Sequence, residues 1–227
     1  MARSRFIVAG IAALAVFAGV GAAFSGLSGA AEQRARRFPM SAFRVVERES
    51  GPTNYYKLYR DSDPPFIRAE YHPPFETTVL GVEVPDADRA SARVLSWRWR
   101  AVTLPKGGNE CVEGKGDSAA VVYVSWRRTL RWYALKYVWS AVGPKGAVCD
   151  KKSNPFAAQD TVVLESGAPL DVWKTERIDL KAEFRKHFEG GDQTASVPDF
   201  MGVGIMSDGD QTHSDSAADY ADFVLDR

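Results

Sequence analysis

Along most of the chain, apolar and polar residues alternate in short runs. In LSWRWRA, Leu95, Trp97, Trp99 and Ala101 share one side of an extended strand, and Ser96, Arg98 and Arg100 the other. WYALKYVWS divides into Tyr133, Leu135, Tyr137 and Trp139 against Trp132, Ala134, Lys136 and Val138. In AAVVYVSW, Val122, Val124 and Trp126 oppose Val121, Tyr123 and Ser125. The first set of each strand predicts a buried face, which leaves Arg98, Tyr123, Trp132 and Lys136 facing the other way.

Similar runs extend over residues 43–48, 55–60, 66–71, 77–84, 92–101, 118–126, 132–140, 161–166, 172–180, 200–207 and 219–226, rich in Val, Tyr, Trp, Phe and Ile. Turn formers separate them: DSDPP, HPP, PDAD, LPKGG, GPKG, SNP and SGAP. Only KAEFRKHF, residues 181–188, reads as a helix, with Leu180, Phe184 and Phe188 on one face. About eleven short strands with one helix predict an all-β protein, an antiparallel sandwich or barrel. The gaps are too short for the crossover helices of a parallel sheet.

The first thirty residues differ. Arg3 and Arg5 precede a nearly uncharged run from Phe6 to about Phe24, and small residues follow through Ser28, Gly29 and Ala30. This is the pattern of a signal peptide cut after Ala30 or Ala31, with an uncleaved N-terminal anchor as the alternative. The predicted organisation is therefore a leader or anchor over 1–30, a tether over 31–40 and a single domain over 41–227. Either form of the leader predicts export, to the periplasm or beyond, with membrane contact only through an uncleaved N-terminal segment. Apolar residues make up 45% and charged residues 26%, as in an ordinary globular chain, and the formal net charge of zero argues against a nucleic-acid partner. Export gives meaning to the two cysteines, Cys111 and Cys149. In an oxidising compartment such a pair is expected to bond, stabilising the fold by about 3–4 kcal/mol on the chain-entropy account.

If the three central strands are neighbours, Arg98, Tyr123, Lys136 and Trp132 form one polar face. Aromatic rings stack on sugars and fixed polar groups orient hydroxyls, so such a face suits a glycan or another polar envelope ligand. Basic residues on a solvent-facing sheet also need no ligand. Near the C-terminus, MSDGDQTHSDSAADYADF gathers Asp208, Asp210, Asp215, Asp219 and Asp222. Asp208-Gly209-Asp210 with Asp215 could share a calcium ion, although the full helix–loop–helix calcium pattern is absent. Asx turns and direct ligand contact are the other readings of this loop. Simple alternation puts Asp219 and Asp222 on opposite faces, with Asp222 beside Tyr220 and Val224. An acid on an apolar face needs a partner, and Lys136 or Arg98 is expected to supply it.

In order along the chain, LSWRWRAVTLPKGGNE, KGDSAAVVYVSW, LKYVWS, SNPF, VVLESG, WKTERIDLKAEFRKHF and GVGIMSDGDQTHSDSAADYADFVL resemble DUF3047, a bacterial exported family of unknown function. The resemblance covers about residues 40–227. It implies a jelly-roll-like β-sandwich similar to galactose-binding domains, and no established activity. Two positions depart from the family pattern: Val121 stands where Arg is frequent and Lys136 where Asn is frequent.

No nucleophile elbow, zinc-protease motif or phosphate loop is present, and His72, His187 and His213 are scattered. The leading expectation is a binding module. A glycan hydrolase would instead need paired carboxylates, for which Glu165, Asp208 and Asp222 are candidates. A structural envelope protein is the third class.

Overall fold

The computed structural model describes residues 35–46 and 54–227. The leader expected over residues 1–30, the start of the tether and the end of the run at 43–48 lie outside the described residues. The strands are β1 (Ala35–Arg37), β2 (Arg44–Val45), β3 (Tyr56–Tyr59), β4 (Phe66–Tyr71), β5 (Leu80–Glu83), β6 (Val94–Thr103) and β7 (Ser118–Arg128). They continue with β8 (Arg131–Ser140), β9 (Val148–Ser153), β10 (Ala157–Ser166), β11 (Lys174–Asp179), β12 (Asp199–Met206) and β13 (Ser216–Asp226). Among the described residues two α-helices, α1 (Asp86–Arg89) and α2 (Leu180–Phe188), and one 3-10 turn (Met40–Ala42) interrupt them.

The strands form two sheets. The first runs β11-β6-β13-β4-β3, with β1 also on β13; the second runs β2-β5-β12-β7-β8-β10-β9. The all-β, jelly-roll-like sandwich expected from alternation and resemblance is the observed class. One pair departs from antiparallel order: β10 lies parallel to β8. The chain leaves β8, descends as β9 two positions away, and returns as β10 in the slot between. Part of the expected tether is strand, since Ala35–Arg37 pairs with β13 and Arg36 bonds the buried Asp88.

The predicted inward sets fill the space between the sheets. Leu95, Trp97, Trp99 and Ala101 of β6 are fully buried, as are Leu135 and Tyr137 of β8. Trp99 meets Trp97 edge-on at 5.7 Å and Trp139 at 6.0 Å, so indoles from both sheets interlock. The buried phenol of Tyr220, in the first sheet, donates to the Met206 carbonyl of the second and accepts from Val121 N–H. Burial holds this phenol well above the ordinary tyrosine pKa, so it stays a donor. The predicted helix closes one end of the sandwich. Asp179 caps it by accepting from the N–H groups of Lys181 and Ala182, and Phe184 packs against Trp126 and Tyr133.

Candidate functional site

The outer face of the first sheet is organised by one carboxylate. Asp219, on β13, lies directly opposite Arg68 of β4 on one side and Arg100 of β6 on the other. It is fully buried and accepts two bonds from Arg68, at 2.7 and 2.8 Å, and one from Arg100 Nε at 2.7 Å, whose Nη2 also lies 2.7 Å away. A buried carboxylate is tolerable only with such partners. Each guanidinium has five N–H donors, so the pairing leaves donors for a ligand. Aromatic rings fix the arginines from the sides. Arg100 lies 4.7 Å from the Trp173 ring centroid and 5.5 Å from Phe66; Arg68 lies 5.8 Å from Tyr59. Tyr59 and Phe66 stack at 4.6 Å, and Phe66 meets Trp173 edge-on at 6.0 Å.

Beside Trp173 the face hollows into an open depression of about 470 Å³, with Arg98 and Asp222 in its lining together with Arg37, Asp63, Ser96 and Thr175. Arg98 donates to Asp222 at 3.3 Å and sits 5.2 Å from the Trp173 ring. Arg98 is thus the partner of Asp222, one of the two expected, but Asp222 does not lie on the face that simple alternation gives it. A bulge between Ala221 and Val224 shifts β13 by one residue, and Asp222 takes a left-handed conformation with φ 55°. Asp219 and Asp222 therefore both lie on the polar outer face, while Tyr220, Phe223 and Leu225 are fully buried.

The face expected from Arg98, Tyr123, Lys136 and Trp132 does not exist as one surface. Arg98 belongs to the first sheet, whereas Tyr123, Lys136 and Trp132 lie on the outer side of the second. Outward residues of two stacked sheets point away from each other. Most of the second outer face is covered. Val121, Val138, Val163 and Met206 form a buried cluster there, with Tyr123 and Cys149 against it. Lys136 is 8% exposed, donates to the Gly116 carbonyl at 3.3 Å and faces Asp208 at 3.9 Å. Gly116 belongs to the loop carrying Cys111, which is bridged to Cys149 as expected, with Cα atoms 5.1 Å apart.

Asp208 accepts from Ser118 N–H at 2.7 Å. Burial pushes its carboxyl up to about 7, against the pull of Lys136 and with a further push from Asp117. Burial alone would lower Lys136, but Asp208 and neighbouring acidic and phenolic groups hold it above the ordinary lysine value, as an ammonium. The expected calcium set is changed. Asp208 and Asp210 approach Asp117, all three offering oxygens within 4.8 Å, while Asp215 bonds His72 at 2.9 Å instead. Asp117 accepts from Gln211 N–H and Thr212 N–H, and partial desolvation and Asp117 both raise Asp210. The Lys136 ammonium lies beside this group, 3.9 Å from Asp208.

The remaining predicted residues are dispersed. Trp132 lies under Arg127 at 5.3 Å. Glu165, at the end of β10, pairs with Lys145 at 2.7 Å. Glu165, Asp208 and Asp222, the candidate hydrolytic carboxylates, each face a different cation: Lys145, Lys136 and Arg98. Sequence reasoning missed Trp173, Arg68, Phe66 and Tyr59 as site residues. The available signal was charge: FIRAEY puts Phe66 and Arg68 on one face, and Asp219 calls for cationic neighbours.

The family model that matches is a protein of unknown function, DUF3047, over residues 44–224. No protein of curated function matches the chain. Among solved structures, the chain is similar to the xyloglucanase domain of NopAA, a type three effector from Sinorhizobium fredii, in complex with cellobiose (10% identity, TM-score 0.48, 85% of this chain and 97% of that one). It is also similar to the family 11 carbohydrate-binding module of cellulase Lic26A-Cel5E of Clostridium thermocellum (8% identity, TM-score 0.38, 85% and 86%). A third is endoglucanase 3, from family GH12, of Trichoderma harzianum (9% identity, TM-score 0.39, 82% and 84%).

Proposed function

The chain belongs to the DUF3047 family, and from that premise we propose that it is an exported binding module for carbohydrate, specifically for saccharides bearing acidic groups. The observation that carries this reading is the outer face of the first sheet, where Asp219 fixes Arg68 and Arg100 among Tyr59, Phe66 and Trp173 beside an open polar depression. Half-buried Trp173 offers apolar surface for a pyranose ring. Arg98 and the spare donors of Arg100 suit a carboxylate. Because these groups are already held in place, little ordering entropy is lost on binding. The Cys111–Cys149 bridge and the leader pattern at residues 1–30 support export. Among the described residues, no helix is long and apolar enough to cross a membrane.

The test is calorimetric titration with uronate-containing and neutral oligosaccharides. Saturable binding that favours the acidic ligands, and at least a tenfold loss in Trp173→Ala, is expected; tenfold corresponds to about 1.4 kcal/mol. Binding of neither class, or unchanged affinity in Trp173→Ala, would refute the reading.

A further inference from the structure

A second concavity, of about 400 Å³, opens where the end of α2 meets β8, β9 and β10, and its lining is rich in cations. Arg128, Arg131, Lys151 and Lys152 line it against two carboxylates, Asp160 and Glu189. Those carboxylates are committed. Asp160 is held by His187 at 2.9 Å and Lys151 at 3.6 Å, and Glu189 by Arg128 at 2.8 Å. Lys152 pairs with Asp150 outside the pocket.

Arg131 differs from its neighbours. Its Nη2 donates to Ser153 Oγ at 2.9 Å, and its Nε–H is buried without an acceptor. A buried donor with no partner is costly, and a bound acceptor would remove that cost. The Tyr133 ring lies 5.2 Å from Arg131 and 5.8 Å from Arg128, fixing both guanidiniums at the mouth. Guanidinium forks match oxyanions in geometry as well as charge, and a concave wall strengthens the local field.

We propose that this pocket binds a doubly charged tetrahedral oxyanion, phosphate or sulfate, either free or as an ester on a larger molecule. The Arg131 fork takes two of its oxygens, and Lys151 supplies further charge from β9. The site is separate from the face around Trp173 and uses none of its residues.

The experiment is calorimetric titration of the purified full chain at low ionic strength with inorganic phosphate, inorganic sulfate and glycerol 3-phosphate, an ester without a sugar ring. Saturable binding of at least one is expected, weakened at least tenfold in Arg131→Gln and severalfold in Lys151→Gln. Arg177→Gln, at an exposed arginine on β11, leaves it unchanged, as does Trp173→Ala, so this proposal and the saccharide reading fail separately. Lys151 is exposed, so its variant keeps the test decisive if Arg131→Gln does not fold. Tighter binding of glycerol 3-phosphate supports an ester ligand; equal or weaker binding supports the free ion. No saturable binding of any probe, or binding indifferent to both pocket substitutions, would overturn the proposal.

Discussion

On the outer face of the first sheet, Asp219 is shared by two arginines that remain partly exposed under aromatic rings, at 27% and 22%. On the outer face of the second, Lys136 and Asp208 face each other at 3.9 Å with side chains only 10% and 7% exposed. Both faces come from strands with the same alternation, and both carry buried acid opposite basic side chains: Asp219 on the first, Asp208 beside Asp117 on the second. They differ in what lies above them. A loop tied down by Cys111–Cys149 crosses the second face, and an apolar cluster fills the space beneath. The first face keeps an open depression beside its charges. Charge alternation in a strand locates polar groups; the connections decide whether a ligand can reach them.

The contrast can be broken most forcefully at Asp219. Asp219→Ala leaves two arginines without their shared carboxylate, and a loss of about 3–5 kcal/mol in urea unfolding is expected, as for other broken buried pairs. A loss below about 1 kcal/mol would mean that solvent, and not Asp219, holds the arginines.

Asp208 tests the covered face through pH. Its unfolded carboxyl titrates near 3.8 and its folded one at about 7. The unfolded state therefore ionises first, and this group's contribution to stability falls as pH rises from about 4 to about 7. Asp208→Asn should flatten that part of the stability profile by at most about 4 kcal/mol. Parallel profiles for the two proteins would show that folded Asp208 is ionised in acid.

The bridge comes next. Replacing both cysteines with serine should cost about 2–4 kcal/mol and speed hydrogen exchange around Gly116 and Lys136, while the amides around Asp219 in the first sheet keep their protection relative to global unfolding. Equal acceleration on both faces would remove the distinction between them. The smallest stability effect is expected at Trp173. Trp173→Ala should cost about 1 kcal/mol or less, because the ring is half exposed, whereas Trp97→Ala in the core should cost about 3–5 kcal/mol. Similar losses would place Trp173 in the structural core instead of the binding face.

Much of this arrangement was legible in local pattern. The period of two in LSWRWRA and WYALKYVWS put the correct residues inside, and the spacing of Leu180, Phe184 and Phe188 marked α2. Strand β9 was not legible, since VCDKKS is an edge strand with three consecutive charges and no alternation. The side taken by Asp222 was hidden because one bulge exchanges faces for every residue after it. The separation of Arg98 from Lys136 was hidden for another reason. Each points outward from its own sheet, and sheet membership is set by pairings distant in sequence. Trp173 falls inside the run expected over 172–180 but precedes β11, which starts at Lys174, so alternation along that run does not fix its side. Asp219 between Arg68 and Arg100 becomes readable only once the register is known.

The most direct measurement is a spectroscopic titration of indole N–H resonances with a uronate-containing oligosaccharide. Trp173 should shift in a saturable manner together with the guanidinium signals of Arg98 and Arg100, while Trp132, on the opposite sheet, stays fixed. Saturable shifts at Trp132 with Trp173 unmoved would place the ligand on the other face and contradict the account.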